Sequence, residues 1–329
     1  LVAFGRQSLA DPHTPQKAME ERLEDLTPCI ACLQGCVANM YAGNPICCLT
    51  NPFLGHEAEP IAKTENPKKV MVIGGGVAGL CAAFIAKEKG HEVTLYEAGD
   101  VLGGNMRLAA YPPGKGDITN MIRSYIHRCQ KDGVKIVMNC EVTPELIKEE
   151  KPDSVIIATG SKTLILPIEG IDNPAIIHGS DLLDGKRPAG KKVLVVGGGM
   201  VGCETAAFLG EQEHDVTVIE FRDTVGADVI HEHRVYLMKD FEDYGIKEIT
   251  GAKVCKFYED GVEYETADGV RHETRGYDSV ILSMGFRNYN PLEEKIKDLV
   301  PETHVIGDAI RARRALDATK EAYEVASRL

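Results

Sequence analysis

The chain has 329 residues, 43% of them hydrophobic and 26% charged, with a net charge of -13. That is the composition of a folded globular protein with room for two domains, and the acidic balance argues against a nucleic-acid partner, which rewards clustered lysine and arginine. No run of 18 or more apolar residues and no signal-peptide pattern occurs, so no helical membrane span is expected, and the ten cysteines read as metal ligands and buried thiols of a cytoplasmic protein.

The opening L-V-A-F-G-R is strand-like and has neither an initiator methionine nor a cap, so the sequence is expected to start inside a longer polypeptide. An acidic helical stretch over 16–26 follows. Residues 28–52 then read P-C-I-A-C-L-Q-G-C-V-A-N-M-Y-A-G-N-P-I-C-C-L-T-N-P. Cys29, Cys32 and Cys36, at x2 and x3 spacing, bring three sulfurs around one point. The Gly/Asn/Pro excursion at 42–45 folds back to supply a fourth from Cys47 or Cys48. Four thiolates suit either a tetrahedral zinc or a four-iron cluster. Zinc more often takes two C-x2-C pairs, whereas three close cysteines with one remote ligand suit iron and sulfur. Cys81, Cys129, Cys140, Cys203 and Cys255 are read as small buried hydrophobes.

After a proline-bounded linker at 52–67, V-M-V-I-G-G-G-V-A-G-L at 70–80 returns as V-L-V-V-G-G-G-M-V-G-C at 193–203. Each copy is followed by a glutamate 23 residues after its first glycine, Glu97 and Glu220. An apolar strand here delivers glycines to a helix N-terminus, where backbone amides can meet a diphosphate. Gly74 and Gly197 make the tight turn, Gly76 and Gly199 leave room for the ligand, and Gly79 and Gly202 let helix and strand pack closely. The distant carboxylate takes hydrogen bonds from a ribose. Arg222, two residues beyond Glu220, sets a guanidinium beside that second carboxylate.

Between the copies, G-D-V-L-G-G-N-M at 99–106 and a loop at 112–115 lead to a helix near 117–131 and a strand at 134–138. S-V-I-I-A-T-G at 154–160 is a buried strand ending in small residues, echoed by S-V-I-L-S-M-G at 279–285. V-I-G-D-A at 305–309 is expected to open a helix running to 328, with Gly307 and Asp308 as a second phosphate or polyol contact; as a structural feature Asp308 would be a plain N-cap. Residues 284–329 would complete the first nucleotide domain, making the second an insertion.

The order C-x2-C-x3-C-x11-C, GxGxxG, A-T-G, GxGxxG and G-D-A resembles the C-terminal two-thirds of the 2,4-dienoyl-CoA reductase and enoate reductase group, to which trimethylamine dehydrogenase is related. The opening F-G-R-Q-S-L-A-D-P is similar to the last strand of the old-yellow-enzyme barrel that precedes this segment there. The resemblance implies an α/β fold of two Rossmann-like FAD/NAD(P)-binding domains, the second inserted in the first, preceded by a cluster loop and the tail of a missing TIM barrel. Its implied boundaries are 1–28 for the barrel end, 29–66 for the iron-sulfur segment, 67–163 and 284–329 for the FAD domain, and 164–283 for the NAD(P)H domain. It selects Cys48 over Cys47 as the fourth 4Fe-4S ligand. It places FAD against Gly74, Gly76, Ala78, Gly79, Glu97, Gly103, Gly104, Asn105, Lys115, Val142, Gly160, Gly307 and Asp308, with Asn105 where glutamine is commoner. NADH or NADPH would meet Gly197, Gly199, Gly202, Glu220 and Arg222.

The function so implied is electron input. Hydride would pass from NAD(P)H to FAD, and electrons would pass through the cluster to FMN on the absent barrel, whose own residues would reduce an activated C=C bond of an unsaturated acid or acyl-CoA. No catalytic acid or base is expected in this portion, which would show only diaphorase activity. The alternatives are an ADP-binding structural module, as in an amine dehydrogenase, and an electron-transfer protein like the small subunit of glutamate synthase. A homo-oligomer is compatible with either.

Overall fold

A computed structural model of the chain describes residues 2–329. It divides into two compact units: unit 1 takes residues 1–110, 117–162 and 287–329, and unit 2 takes 111–116 and 163–286. Residues before 67 thus cluster with unit 1.

In chain order the principal elements are β1 (Lys69–Ile73), α1 (Val77–Lys89), β2 (Glu92–Tyr96), α2 (Asp117–Lys131), β3 (Lys135–Val137), β4 (Ser154–Ile157), β5 (Ile177–His178) and β6 (Lys192–Val196). They continue with α3 (Met200–Glu211), β7 (Asp215–Ile219), α4 (His231–Asp243), β8 (Lys247–Ile249), β9 (Lys253–Tyr258), β10 (Gly261–Glu265), β11 (Arg271–Thr274), β12 (Ser279–Leu282), β13 (Glu302–Val305) and α5 (Ala315–Ala326).

Unit 1 is built on a parallel sheet of order β13-β4-β1-β2-β3. Its strands are apolar runs because both faces are covered. One face packs α1, whose Leu80, Cys81, Phe84 and Ile85 are fully buried, and α1 in turn lies against Met121, Tyr125 and Cys129 of α2 and Ala322 of α5. The other face holds Met71, Ile73, Val155 and Ile157 against Ile147 and Ile296. An α1 that is apolar on all sides needs such cover from every direction. Tyr125 adds a specific tie, donating its hydroxyl to the Leu49 carbonyl at 3.1 Å and so fastening the end of the cysteine segment to α2.

Unit 2 repeats the plan with the order β5-β12-β6-β7-β8, and β9-β10-β11 form a separate antiparallel sheet. Val193, Val195, Val216 and Val218 face α3 and α4, and Leu194, Val196 and Leu282 face Phe257 and Val262. The strands match one for one between units: β1 with β6, β2 with β7, β3 with β8, β4 with β12 and β13 with β5.

Several expectations need correction. Residues 2–4 form no strand, and Val2 and Phe4 are exposed; a strand requires a hydrogen-bonded neighbour, and none of the described residues provides one. The acidic stretch 16–26 is not one helix, but the end of a short helix, Thr14–Met19, and a 3-10 turn, Leu23–Asp25, because Glu21 between them adopts φ +57°. Residues 305–309 do not open the last helix. Gly307–Ala309 is a 3-10 turn, and α5 begins at Ala315, where the Arg314 amide donates to the Asp317 carboxylate at 3.2 Å. Cys81, Cys129 and Cys203 are buried, whereas Cys140 and Cys255 are only half-buried. Among the described residues no helix is long and apolar enough to cross a membrane.

Candidate functional site: two dinucleotide cradles and a cysteine recess

The register of β1 against β2 runs from Lys69 opposite Glu92 to Ile73 opposite Tyr96. The chain then turns at Gly74, whose amide donates to the Tyr96 carbonyl at 2.8 Å. Gly74 has φ +110°, the left-handed region that favours glycine. This register brings Glu97 beside the glycine turn. Its carboxylate accepts the Gly75 amide at 2.7 Å through one oxygen and the Gly99 amide at 2.7 Å through the other. A Cβ on Gly79 would lie 1.9 Å from the Gly74 carbonyl oxygen, so only glycine lets α1 approach the turn. A Cβ on Gly76, at the N-terminus of α1, would meet nothing within 4 Å. The space a diphosphate requires is therefore open.

Gly103 and Gly104 close over this turn: the Gly103 amide donates to the Gly75 carbonyl at 2.8 Å, and a Cβ on Gly104 would stand 3.2 Å from the Gly76 Cα. Asn105 reaches the Ser161 hydroxyl at 3.3 Å, and that hydroxyl donates to Asp308 at 2.9 Å. The other Asp308 oxygen accepts the Arg313 amide at 3.0 Å, so Asp308 organises the 308–313 loop and does not cap the long helix. Ala78 is buried, and so is Val142, among Tyr96 and Ile147, which leaves Val142 only its backbone to offer a ligand. The Gly160 carbonyl takes the Tyr289 amide at 2.9 Å.

Ser161, which joins Asn105 to Asp308, is not singled out by the sequence; its one signal is its place directly after A-T-G. The same is true of Lys162, whose ammonium lies 3.5 Å from the centre of the Tyr289 ring. Lys115 clusters with unit 2, where it pairs with Glu204 of α3, a carboxylate only 10% exposed.

Unit 2 reproduces the cradle. Gly197 has φ +105°, its amide donates to the Ile219 carbonyl at 2.9 Å, and a Cβ on Gly202 would lie 1.8 Å from the Gly197 oxygen. Glu220 accepts the Gly198 amide at 2.5 Å and the Arg222 amide at 2.9 Å, the two bonds that Glu97 makes in unit 1. Arg222 itself is exposed.

The cysteines form a third feature. Cys29, Cys32, Cys36, Cys47 and Cys48 line one recess with Arg6 and Thr50. Ala31 and Leu33, on either side of Cys32, both have positive φ, +52° and +57°, an uncommon conformation for residues with a side chain. Burial pushes the Cys32 thiol up to about 11, and the charges of Cys48, Cys36 and Cys29 push the same way against the lowering bond from Gln34. Burial also raises Cys48, whose sulfur lies 3.3 Å from the Thr50 hydroxyl, which opposes that rise. Cys47 is engaged elsewhere: its amide donates to the Gly35 carbonyl at 2.9 Å, and its sulfur accepts from Asn39 at 3.4 Å. Among the described residues no three or more His, Cys, Asp or Glu side chains stand in a metal-holding arrangement. The sulfurs share a recess without forming a closed ligand set.

Two parallel sheets, each with a glycine turn, a helix N-terminus and a carboxylate at the end of its second strand, define a two-domain protein of the FAD- and NAD(P)-binding kind. Comparison with known proteins agrees. Residues 68–306 match the family described as pyridine nucleotide-disulphide oxidoreductase, and the chain belongs to that family. It is 32% identical to a metal reductase of Desulforamulus reducens over 99% of this chain and 54% of the relative. It is 33% identical to a cinnamate reductase of Clostridium sporogenes over 100% of this chain and 50% of the relative. The structure of a 2-naphthoyl-CoA reductase in complex with 2-naphthoyl-CoA superimposes with a TM-score of 0.94 at 33% identity, covering 98% of this chain and 50% of that one. The resemblance to the enoate reductase group therefore holds over the whole chain, and the chain spans about half the length of the curated relatives it matches.

Proposed function

We propose that this chain is the electron-input portion of a reductase: unit 1 holds FAD, unit 2 holds NADH, and the cysteine recess holds a 4Fe-4S cluster that serves an FMN-bearing barrel in the rest of the polypeptide. The observation that carries the reading is the duplicated cradle, in which Glu97 and Glu220 each accept the amide of the second glycine and that of the residue two further on. When bound, the three groups together supply a hydride, a two-electron to one-electron conversion, and a one-electron carrier.

The residues of the chain bind and orient. In unit 1 the amides at the N-terminus of α1 meet the diphosphate, while Glu97 takes the adenosine ribose. Asn105, Ser161 and Asp308 offer a linked set of polar groups to the rest of the FAD. In unit 2 the fixed carboxylate of Glu220 accepts the ribose hydroxyls of NADH and repels the 2′-phosphate of NADPH. Lys115, paired with Glu204, serves unit 2 in this reading.

Cys29, Cys32, Cys36 and Cys48 would ligate the cluster. Their grouping on one recess, the left-handed turns flanking Cys32 and the mutual repulsion of their thiolates all favour a cation there. Cys47, tied to Gly35 and Asn39, stands aside. Residues 1–28 would be the end of the barrel, and the acceptor an activated C=C bond, as the names of the cinnamate and 2-naphthoyl-CoA reductases suggest.

The test is anaerobic release of non-covalent groups, identified by mass spectrometry, with iron and acid-labile sulfide counted per chain. FAD with about four irons is the expected result. ADP in place of FAD, or zinc without sulfide, would overturn it.

A further inference from the structure

The two cradles differ above their third glycine. In unit 1 the position above Gly76 is open. In unit 2 the carboxylate of Asp228 lies above Gly199, its two oxygens 3.5 and 3.6 Å from where a Cβ would stand, and one oxygen accepts the Met200 amide at 2.9 Å. Met200 is the first residue of α3, so that amide is among those a diphosphate would use. A carboxylate there also has the favourable end of the α3 dipole.

Asp228 is held in place from both sides of its loop. The Gly226 amide donates to the Gly198 carbonyl at 2.7 Å, and the Val229 amide donates to the Gly226 carbonyl at 3.1 Å. The guanidinium of Arg234 reaches the Thr224 hydroxyl at 2.9 Å and the Val225 carbonyl at 3.0 Å, and Val225 is fully buried against the unit 2 core.

We propose that Asp228 is a built-in competitor for the diphosphate of the nicotinamide nucleotide: it fills the anion position of the second cradle when the site is empty and must withdraw when the nucleotide binds. The inference rests on the reading that unit 2 binds NADH. It implies that the nucleotide site is weaker than its glycine turn alone would make it. The Met200 amide cannot serve both anions, so the nucleotide must displace the carboxylate from it and tolerate its charge nearby. Reduced and oxidised nucleotide carry the same diphosphate, so the effect falls equally on both and eases product release as much as it hinders binding.

The experiment compares the parent protein with Asp228→Asn by fluorescence titration with NADH and calorimetric titration with ADP-ribose. Asparagine keeps an oxygen for the Met200 amide and removes the charge, and circular dichroism confirms that the fold is retained. The expected result is binding of both ligands tighter by roughly three- to tenfold, the scale of one charge at a helix terminus. Unchanged or weaker binding of NADH by Asp228→Asn would overturn the competitor. Tightening for NADH but not ADP-ribose would also overturn it, because the carboxylate would then act on the nicotinamide half. Absence of NADH binding by parent and variant alike would instead remove the reading of unit 2. Asp228→Ala provides the second variant, and it too should bind both ligands more tightly if displacement of the charge is what matters.

Discussion

The Glu220 carboxylate accepts the Gly198 amide at 2.5 Å, and in doing so it ties the end of β7 to the turn after β6. In the proposed reading the bond fixes the carboxylate where a ribose would come, so the residue would be both a structural clasp and a selector. Replacing Glu220 with Gln keeps an oxygen for the amide and removes the charge. NADH should bind about three- to tenfold more weakly and NADPH more tightly, the scale of one charge-assisted hydrogen bond. The ratio of KM values for the two nucleotides in dye reduction is the measurement, and a ratio equal to that of the parent would count against Glu220 as the selector.

Gly79 and Gly202 should be separable. A methyl group at either meets a carbonyl oxygen within 2 Å, at Gly74 or Gly197 respectively, so the helix must shift away from the turn, at a cost of about 1–3 kcal/mol. Gly79→Ala should be purified with little FAD. Gly202→Ala should retain its FAD and its flavin absorption but lose most NADH-dependent dye reduction.

Cys47 and Cys48 are adjacent and both line the recess, yet only Cys47 is drawn towards Gly35 and Asn39. Cys48→Ser should lower the iron content to less than half of the parent value, and Cys47→Ser should leave it within about a tenth of the expected four irons per chain. Iron and sulfide analysis of anaerobic preparations decides. Equal losses from both variants would show that the choice of ligand is wrong.

Asp25 is a junction of charge, with Lys131 at 2.5 Å, His127 at 2.9 Å and Arg22 at 2.9 Å. Lys131 first, then His127, hold its carboxyl well below the usual carboxylate range, against burial, with Arg22 adding to them. A folded-state value below the unfolded one stabilises the fold above the ordinary carboxylate pKa, and that contribution is lost as pH falls through the lower value. Asp25→Asn should therefore lower Tm at pH 7 by about 2–4 °C. The gap between variant and parent should hold down to about the ordinary carboxylate pKa and narrow below it, closing only in stronger acid, and thermal melts from pH 7 down to pH 3 would show the onset of that narrowing. A gap that widens in acid would contradict the linkage.

The duplicated glycine turns, the 23-residue step to each glutamate, the strand at 154–157 and the helix at 117–131 were all legible in the sequence. Each depends on local periodicity or on a glycine that no other residue can replace, and such signals survive without knowledge of the neighbours. The limits of α5 were not legible, because the helix starts where the Asp317 carboxylate accepts the Arg314 amide and not at the expected Gly307. Nor was the opening segment, whose apolar residues have no strand among the described residues to pair with.

What only the tertiary structure decided are relationships between residues far apart in the chain. Ser161 joins Asn105 to Asp308 across 56 and 147 positions, Lys115 pairs with Glu204, and Asp228 lies on the Met200 amide in one cradle while its counterpart above Gly76 is open. A sequence states which groups can donate, accept or carry charge, but packing decides which of them share a volume. The chain by itself determined that there are two nucleotide cradles; the fold determined that one is open and the other already holds an anion of its own.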